Sequence, residues 1–463
     1  MLTLTSLGAA GTVTGSKHLL SKDGHQILVD CGLFQGLKNL RELNWETLPI
    51  RPSSIDAVVL THAHLDHSGY LPKLVRDGFH GPIYCTEATR DVAELILLDS
   101  AHLQEKDAEY ANRKGFSKHK PALPLYGVHD VELTLRLFKT VPFHQPLQIP
   151  NGATIMFRYA GHILGAATVA IDWDGKSVAF SGDLGRYNDP VMFDPEPIQK
   201  ADYLVLESTY GNRLHDPANP TEALQAVLER TVGRGGTVVI PAFAVGRTQE
   251  LVYDLHALHH EGKIPNIPIF IDSPLATAAT GVFTMHPEVF DLGEQLVRHG
   301  GGLFDFPLVK FTRDVQESRK LNTLRGPMVV IAASGMAESG RILHHLRNGA
   351  DDPRNTILIV GFMAEHTLGR RILERRPVLR VLGEEVPLRA EVEVLNGYSA
   401  HADRTELHRW LSAVRLGGAA TARPAPPVYL VHGEPAAQSA FATQLRADGF
   451  PVEIAHPGLV VRR

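Results

Sequence analysis

The sequence predicts an α/β protein of more than one domain, on three observations. At 463 residues it is longer than a single hydrophobic core usually fills. Short β-branched runs with turn signals between them fill the chain up to about residue 207. Beyond 210, strands alternate with helices, the pattern of a parallel sheet.

In chain order, Met1-Leu-Thr-Leu-Thr-Ser-Leu reads as a first strand; it lacks the basic start of a secretory signal. Gln26 to Cys31, Ile55 to Leu60 and Tyr203 to Glu207 read as further strands. Between the last two, Val92, Leu95, Ile96 and Leu103 recur at helical spacing and predict a helix over 87–103. Residues 112–125 are polar, basic and proline-containing, which predicts a loop. Asp174-Gly175 between two apolar runs signals a hairpin.

Gly236 to Ile240, a helix over 247–258 and Pro268 to Asp272 then form a βαβ unit. Met328 to Ala333, a helix over 340–346 and Thr356 to Val360 repeat it. A Gly/Ala/Pro-rich linker over 416–427 leads into a strand at Val428 to His432. The expected domains are 1–209, 210–392 and 393–463, the third completing the first.

A 44% hydrophobic and 21% charged composition excludes a disordered or fibrous chain. The net charge of −5 argues against a uniformly basic nucleic-acid binder but leaves a local positive groove open. Cys31 and Cys85, far apart in apolar stretches, read as buried thiols and favour the cytoplasm. No apolar run approaches the roughly eighteen residues of a membrane span.

Thr61-His-Ala-His-Leu-Asp-His-Ser68 concentrates three imidazoles and a carboxylate in six residues at a strand end. Such a donor set suits zinc, and four donors there have no evident packing purpose. In extended chain His62 and His64 point the same way, whereas Asp66 and His67 cannot both follow them, so two neighbouring ions would use all four. His162, Asp183 and His432 recur at similar strand ends beside glycine, which suits site loops and ordinary turns alike.

Together these residues resemble the ligand set of the metallo-β-lactamase superfamily, whose fold is an αββα sandwich. The resemblance implies two zinc ions, which manganese could replace. His62, His64 and His162 would hold one, Asp66, His67 and His432 the other, and Asp183 would bridge. Asp30 matches an aspartate that orients a ligand there; a turn-forming Asp before glycine is the alternative. The insertion between Glu207-Ser-Thr-Tyr-Gly211 and Asn396-Gly-Tyr-Ser-Ala-His-Ala-Asp403 resembles the β-CASP nucleases. So do Pro241 to Arg247, Asp272 to Ala276 and Ala333 to Arg341 within it.

By that resemblance the chain is a zinc-dependent ribonuclease acting on single-stranded RNA in processing or decay, an endonuclease with room for 5′–3′ exonuclease action. His432 stands where RNA-directed members have histidine. Asp66 would orient the attacking water, and His401 paired with Glu207 would protonate the leaving 3′ oxygen, giving 5′-phosphate and 3′-hydroxyl ends. Ser399, Ser334, Arg247 and Arg341 are candidate phosphate contacts; an ordinary N-cap for Ser334 and solvated helix faces for the arginines are the alternatives. Phe34 and Tyr398 could stack on bases or belong to the core. A homodimer stays open. A DNA nuclease of the same branch and a small-molecule metallo-hydrolase are the competing functions.

Overall fold

The computed structural model describes residues 1–115, 117–198, 200–216, 219–290, 302–324, 326–361, 363–416 and 425–462. The linker expected over 416–427 falls largely outside them. The chain forms two compact units, one of residues 1–189, 193–214 and 401–463, the other of residues 190–192 and 215–400.

The first unit contains two seven-stranded sheets. One runs Val460–Arg462, Thr3–Ser6, His18–Lys22, His25–Val29, Ala57–Val59, Ile83–Cys85, Phe138–Thr140 in spatial order. The other runs Val452–Ile454, Val428–Val431, Tyr203–Glu207, Lys176–Phe180, Ala167–Trp173, Thr154–Tyr159, Leu147–Gln148. Alternate residues of each strand face the other sheet, as the two-residue strand period requires. Leu20, Ile27, Val29 and Val59 from the first thus share one core with Ile155, Phe157, Val169, Ile171 and Phe180 from the second.

Helices cover both outer faces. Leu407, Trp410 and Leu411 of Arg404–Leu416, at helical spacing, pack with Phe441 and Leu445 of Pro435–Ala447 on Leu204, Leu206 and Leu430. On the opposite side Glu87–Lys114 buries Val92, Ala93, Ile96 and Leu97 and lies against Phe138–Thr140. The result is an αββα sandwich. The Asp174-Gly175 hairpin forms with Trp173 opposite Lys176.

Glu87–Lys114 continues past the apolar stripe that predicts it, to a left-handed C-cap at Gly115. Its last turns are solvent-facing good helix formers, so apolar periodicity cannot reveal them. The start of the predicted loop at 112–125 is therefore helical.

In the second unit a six-stranded, wholly parallel sheet runs Val309–Phe311, Ile269–Ile271, Met328–Ala332, Thr237–Pro241, Thr356–Ile359, Glu391–Val394. Its last strand lies at the limit of the 210–392 expectation, and the unit continues to residue 400. Val239, Ile357, Ile342, Leu346 and Ile372 form part of its core. The helix expected at 340–346 is Ile342–Gly349 and begins after Arg341, so Ser334 is not its N-cap. Ser334 Oγ instead accepts N–H bonds from Glu338 and Ser339 and closes a turn.

No helix among the described residues is long and apolar enough to cross a membrane.

Candidate metal centre

Strand Ala57–Val59 delivers the histidine-rich segment to one end of the sandwich. Asp30, 2% exposed, fixes it there by accepting from Thr61 N at 2.8 Å and Thr61 Oγ1 at 3.0 Å, and by lying 2.7 Å from His67 Nδ1. The chain turns at His64 into the short helix Leu65–Ser68, so Asp66 and His67 leave the line of His62 and His64. A Cβ on Gly32 would fall 1.6 Å from the Asp66 carbonyl oxygen. Only glycine permits that close packing of the 30–33 loop on the helix. Gly185 serves the same purpose where the loops carrying His162 and Asp183 meet: its N–H bonds Ala160 O at 2.7 Å, and a Cβ would strike Gly161 O.

Seven side chains converge at that end. His64 Nδ1 is 3.2 Å from His62 Nε2 and 3.1 Å from His162 Nε2. His432 Nε2 is 3.3 Å from Asp66 Oδ2. Asp183 stands between the groups. Its Oδ2 is 3.6 Å from both His62 Nε2 and His162 Nε2, and its Oδ1 is 3.3 Å from both His67 Nε2 and His432 Nδ1. Donor atoms of His62, His64, His162 and Asp183 lie within 4.8 Å of one another, as do those of Asp66, His67 and His432.

Metal suits this cluster because of what its atoms lack. His67 Nε2 and Asp183 Oδ1 are fully buried and, among the described residues, make no hydrogen bond. Burial opposes a charge on His67, but Asp183 and Asp30 override it and raise the imidazole well above its ordinary value, so the Nε2–Oδ1 pair calls for a cation between its atoms, a proton on Nε2 or a metal ion in its place. Burial pushes His62 well below its ordinary value and His64 down to about 4, which keeps these imidazoles neutral and able to ligate. Burial opposes the charge on Asp183, but His432 and His67 override it and hold the carboxyl well below its usual range.

Beside the cluster, His401 Nδ1 lies 3.2 Å from Glu207 Oε2 and 3.9 Å from Asp183 Oδ2. Glu207, wholly buried, accepts from Leu184 N at 2.5 Å, while its own N–H bonds Ser181 Oγ. Burial works against a charged His401, yet Glu207 raises it to about 9.

The other candidates lie in the second unit. Arg247 is buried and pairs with Glu250. Arg341 donates to Asp272 Oδ1 at 2.8 Å and to the carbonyls of Thr312 and Arg313. Neither side chain lies on a solvated helix face. Ser399 N bonds Asn396 O, and Tyr398 is a core residue whose hydroxyl donates to Asp254 at 2.6 Å. Phe34, in the first unit, covers Gly15 and the Lys17 ammonium, 4.5 Å from the ring centre.

Sequence reasoning missed Thr61 and Ser181, which anchor Asp30 and Glu207. Each stands one or two residues from a recognised ligand, and that adjacency was the available signal. It also missed Lys17, 1% exposed and bound to the carbonyls of Gly32 and Gly15, which nothing in its local sequence marks.

Three family models match the chain: the metallo-beta-lactamase superfamily over residues 14–241, the Beta-Casp domain over 248–372, and the Zn-dependent metallo-hydrolase RNA specificity domain over 385–455. Among curated proteins it is 38% identical over 460 residues to Ribonuclease TTHA0252 of Thermus thermophilus, covering 98% of each chain. It is 33% identical to the Transcription termination factor FttA of Methanosarcina mazei, over 89% of this chain and 65% of that protein. A solved structure of a protein of unknown function from Enterococcus faecalis shares the fold at a TM-score of 0.55 and 13% identity, with 99% of each chain covered. With the αββα sandwich, the parallel-sheet unit and the His/Asp cluster, these matches make the chain a β-CASP member of the metallo-β-lactamase superfamily and a metal-dependent hydrolase.

Proposed function

We propose that the protein is a two-zinc ribonuclease that hydrolyses phosphodiester bonds of single-stranded RNA to 5′-phosphate and 3′-hydroxyl ends. We read it as a cytoplasmic endonuclease of RNA processing or decay, with 5′–3′ exonuclease action as a second mode. The observation that carries this reading is the pairing of the partly exposed His401 with the wholly buried Glu207 beside the His/Asp cluster. The names of its relatives, a ribonuclease and transcription termination factors, and the RNA specificity domain model support RNA as substrate.

His62, His64 and His162 would hold one ion and Asp66, His67 and His432 the other. Asp183, with one oxygen toward each trio, would serve both. When bound, the zinc pair supplies an activated water at neutral pH and electrophilic stabilisation of the phosphate; manganese can take its place. Asp66 orients the attacking water. Glu207 holds His401 by Nδ1 and favours its protonated form, so His401 delivers a proton from Nε2 to the departing 3′ oxygen. Ser334, Ser399, Arg247 and Arg341 contact phosphates, the two arginines while paired with Glu250 and Asp272.

The test is cleavage of matched 5′-labelled single-stranded RNA and DNA by zinc-loaded protein, with His401→Ala alongside. RNA cut to 5′-phosphate products, at a rate strongly reduced in the variant, supports the reading. Preference for DNA would move the assignment to a DNA nuclease, and a 2′,3′-cyclic phosphate product would contradict the attacking water.

A further inference from the structure

The parallel sheet of the second unit has a topological switch point. After Thr237–Pro241 the chain crosses to Ile269–Ile271, on the far side of Met328–Ala332. After Met328–Ala332 it crosses the other way, to Thr356–Ile359 beyond Thr237–Pro241. Loops 242–246 and 333–341 thus leave neighbouring strands in opposite directions, and the carboxyl ends of such strands are where open α/β sheets bind ligands.

One side chain there is out of keeping with its surroundings. Ala242, Ala244 and Val245 are at most 7% exposed, yet Phe243 between them is 40% exposed. The ring lies on Gly335 of the opposite loop, where a Cβ would come within 2.7 Å of it. Both loops are held: Ala242 N bonds Ala332 O, Thr248 donates through N and Oγ1 to Phe243 O, and Ser334 closes its own turn. An aromatic ring kept in solvent on a braced backbone is pre-organised to stack on a planar ligand without ordering cost.

Resting on the ribonuclease reading above, we propose that Phe243 is a base-stacking residue, and that the switch point of the second unit takes an unpaired nucleobase of the single-stranded RNA. Stacking accepts any base, since each has a π face, so this subsite adds affinity without sequence preference.

The test is fluorescence anisotropy of a 5′-fluorescein oligouridylate with zinc-loaded His401→Ala protein, which is designed not to consume the RNA, carrying Phe243→Leu or Phe243→Trp. Leucine keeps an apolar side chain on Gly335 but removes the π face, and should weaken binding about 5- to 100-fold. Tryptophan should hold or tighten it. Leucine binding equal to that of phenylalanine overturns the subsite and, if the wild type cuts RNA, leaves the ribonuclease reading standing. A parent protein that neither binds nor, as wild type, cuts RNA overturns both.

Discussion

Two buried clusters in this molecule are built from the same kinds of residue and reach opposite ends. In the second unit Asp272 is wholly buried, and both its oxygens are satisfied: Ser318 Oγ donates at 2.7 Å, Arg341 Nη1 at 2.8 Å, and His345 Nε2 lies at 2.6 Å. In the first unit Asp183 is equally buried among histidines, but among the described residues its Oδ1 accepts no hydrogen bond and faces only His67 Nε2 and His432 Nδ1, each at 3.3 Å. A buried carboxylate whose hydrogen bonds are complete is a structural tie; one surrounded by imidazole nitrogens at 3.3–3.6 Å can take a metal ion among them. Residue type does not separate the two, whereas donor accounting does.

Substitutions at the two aspartates should therefore have different consequences. Asp183→Asn should abolish hydrolysis by removing a donor shared by both ligand groups, which a metal assay beside an activity assay would show. His401→Ala should keep its metal and lose about 10²- to 10⁴-fold in turnover, the usual worth of a general acid, read from single-turnover rates. Asp30→Asn, which leaves every proposed ligand in place but loosens His67, should cost about 10- to 100-fold in metal affinity, measurable by chelator competition. Asp272→Asn should instead lower unfolding stability by about 3 kcal/mol in denaturant titration, because it disrupts a buried, paired charge.

Lys17 supplies a third and smaller case. Among the described residues it is buried with no carboxylate paired to it, its ammonium held by carbonyls and by the Phe34 and Tyr70 ring faces at 4.5 and 4.9 Å. Burial, partly offset by the nearby Cys31, lowers it from 10.5 to about 8. The native state thus sheds this proton before the unfolded chain does, so the group's contribution to stability rises with pH between about 8 and 10.5 and is flat below 8. The whole span is worth about 3 kcal/mol at most. Lys17→Met should flatten that slope in unfolding titrations across the window, and an unchanged slope would show that the ammonium is better solvated than its burial implies.

The sequence revealed the metal cluster well because four donors crowd into residues 62–67 and the rest stand beside glycines at strand ends. Tyr203 to Glu207 is a strand with the bounds its composition gives, whereas the last turns of Glu87–Lys114 are polar and lie past the apolar signal, and Ile342–Gly349 begins two residues after the Gly340 start expected of it. What stayed hidden depends on contacts distant in sequence. Arg341 and Asp272 stand in separate, recognisable motifs 69 residues apart, and only folding shows that they satisfy one another. Phe243 was hidden for another reason: it stands within an apolar run, and its 40% exposure and its packing on Gly335 of another loop appear only in the fold.

The most direct test of the distinction is zinc content by mass spectrometry after metal loading and exhaustive dialysis, on wild type, Asp183→Asn and Asp272→Asn. Wild type and Asp272→Asn should each hold two zinc ions per chain, and Asp183→Asn fewer than one. Equal zinc in wild type and Asp183→Asn, or zinc lost from folded Asp272→Asn, would contradict that distinction.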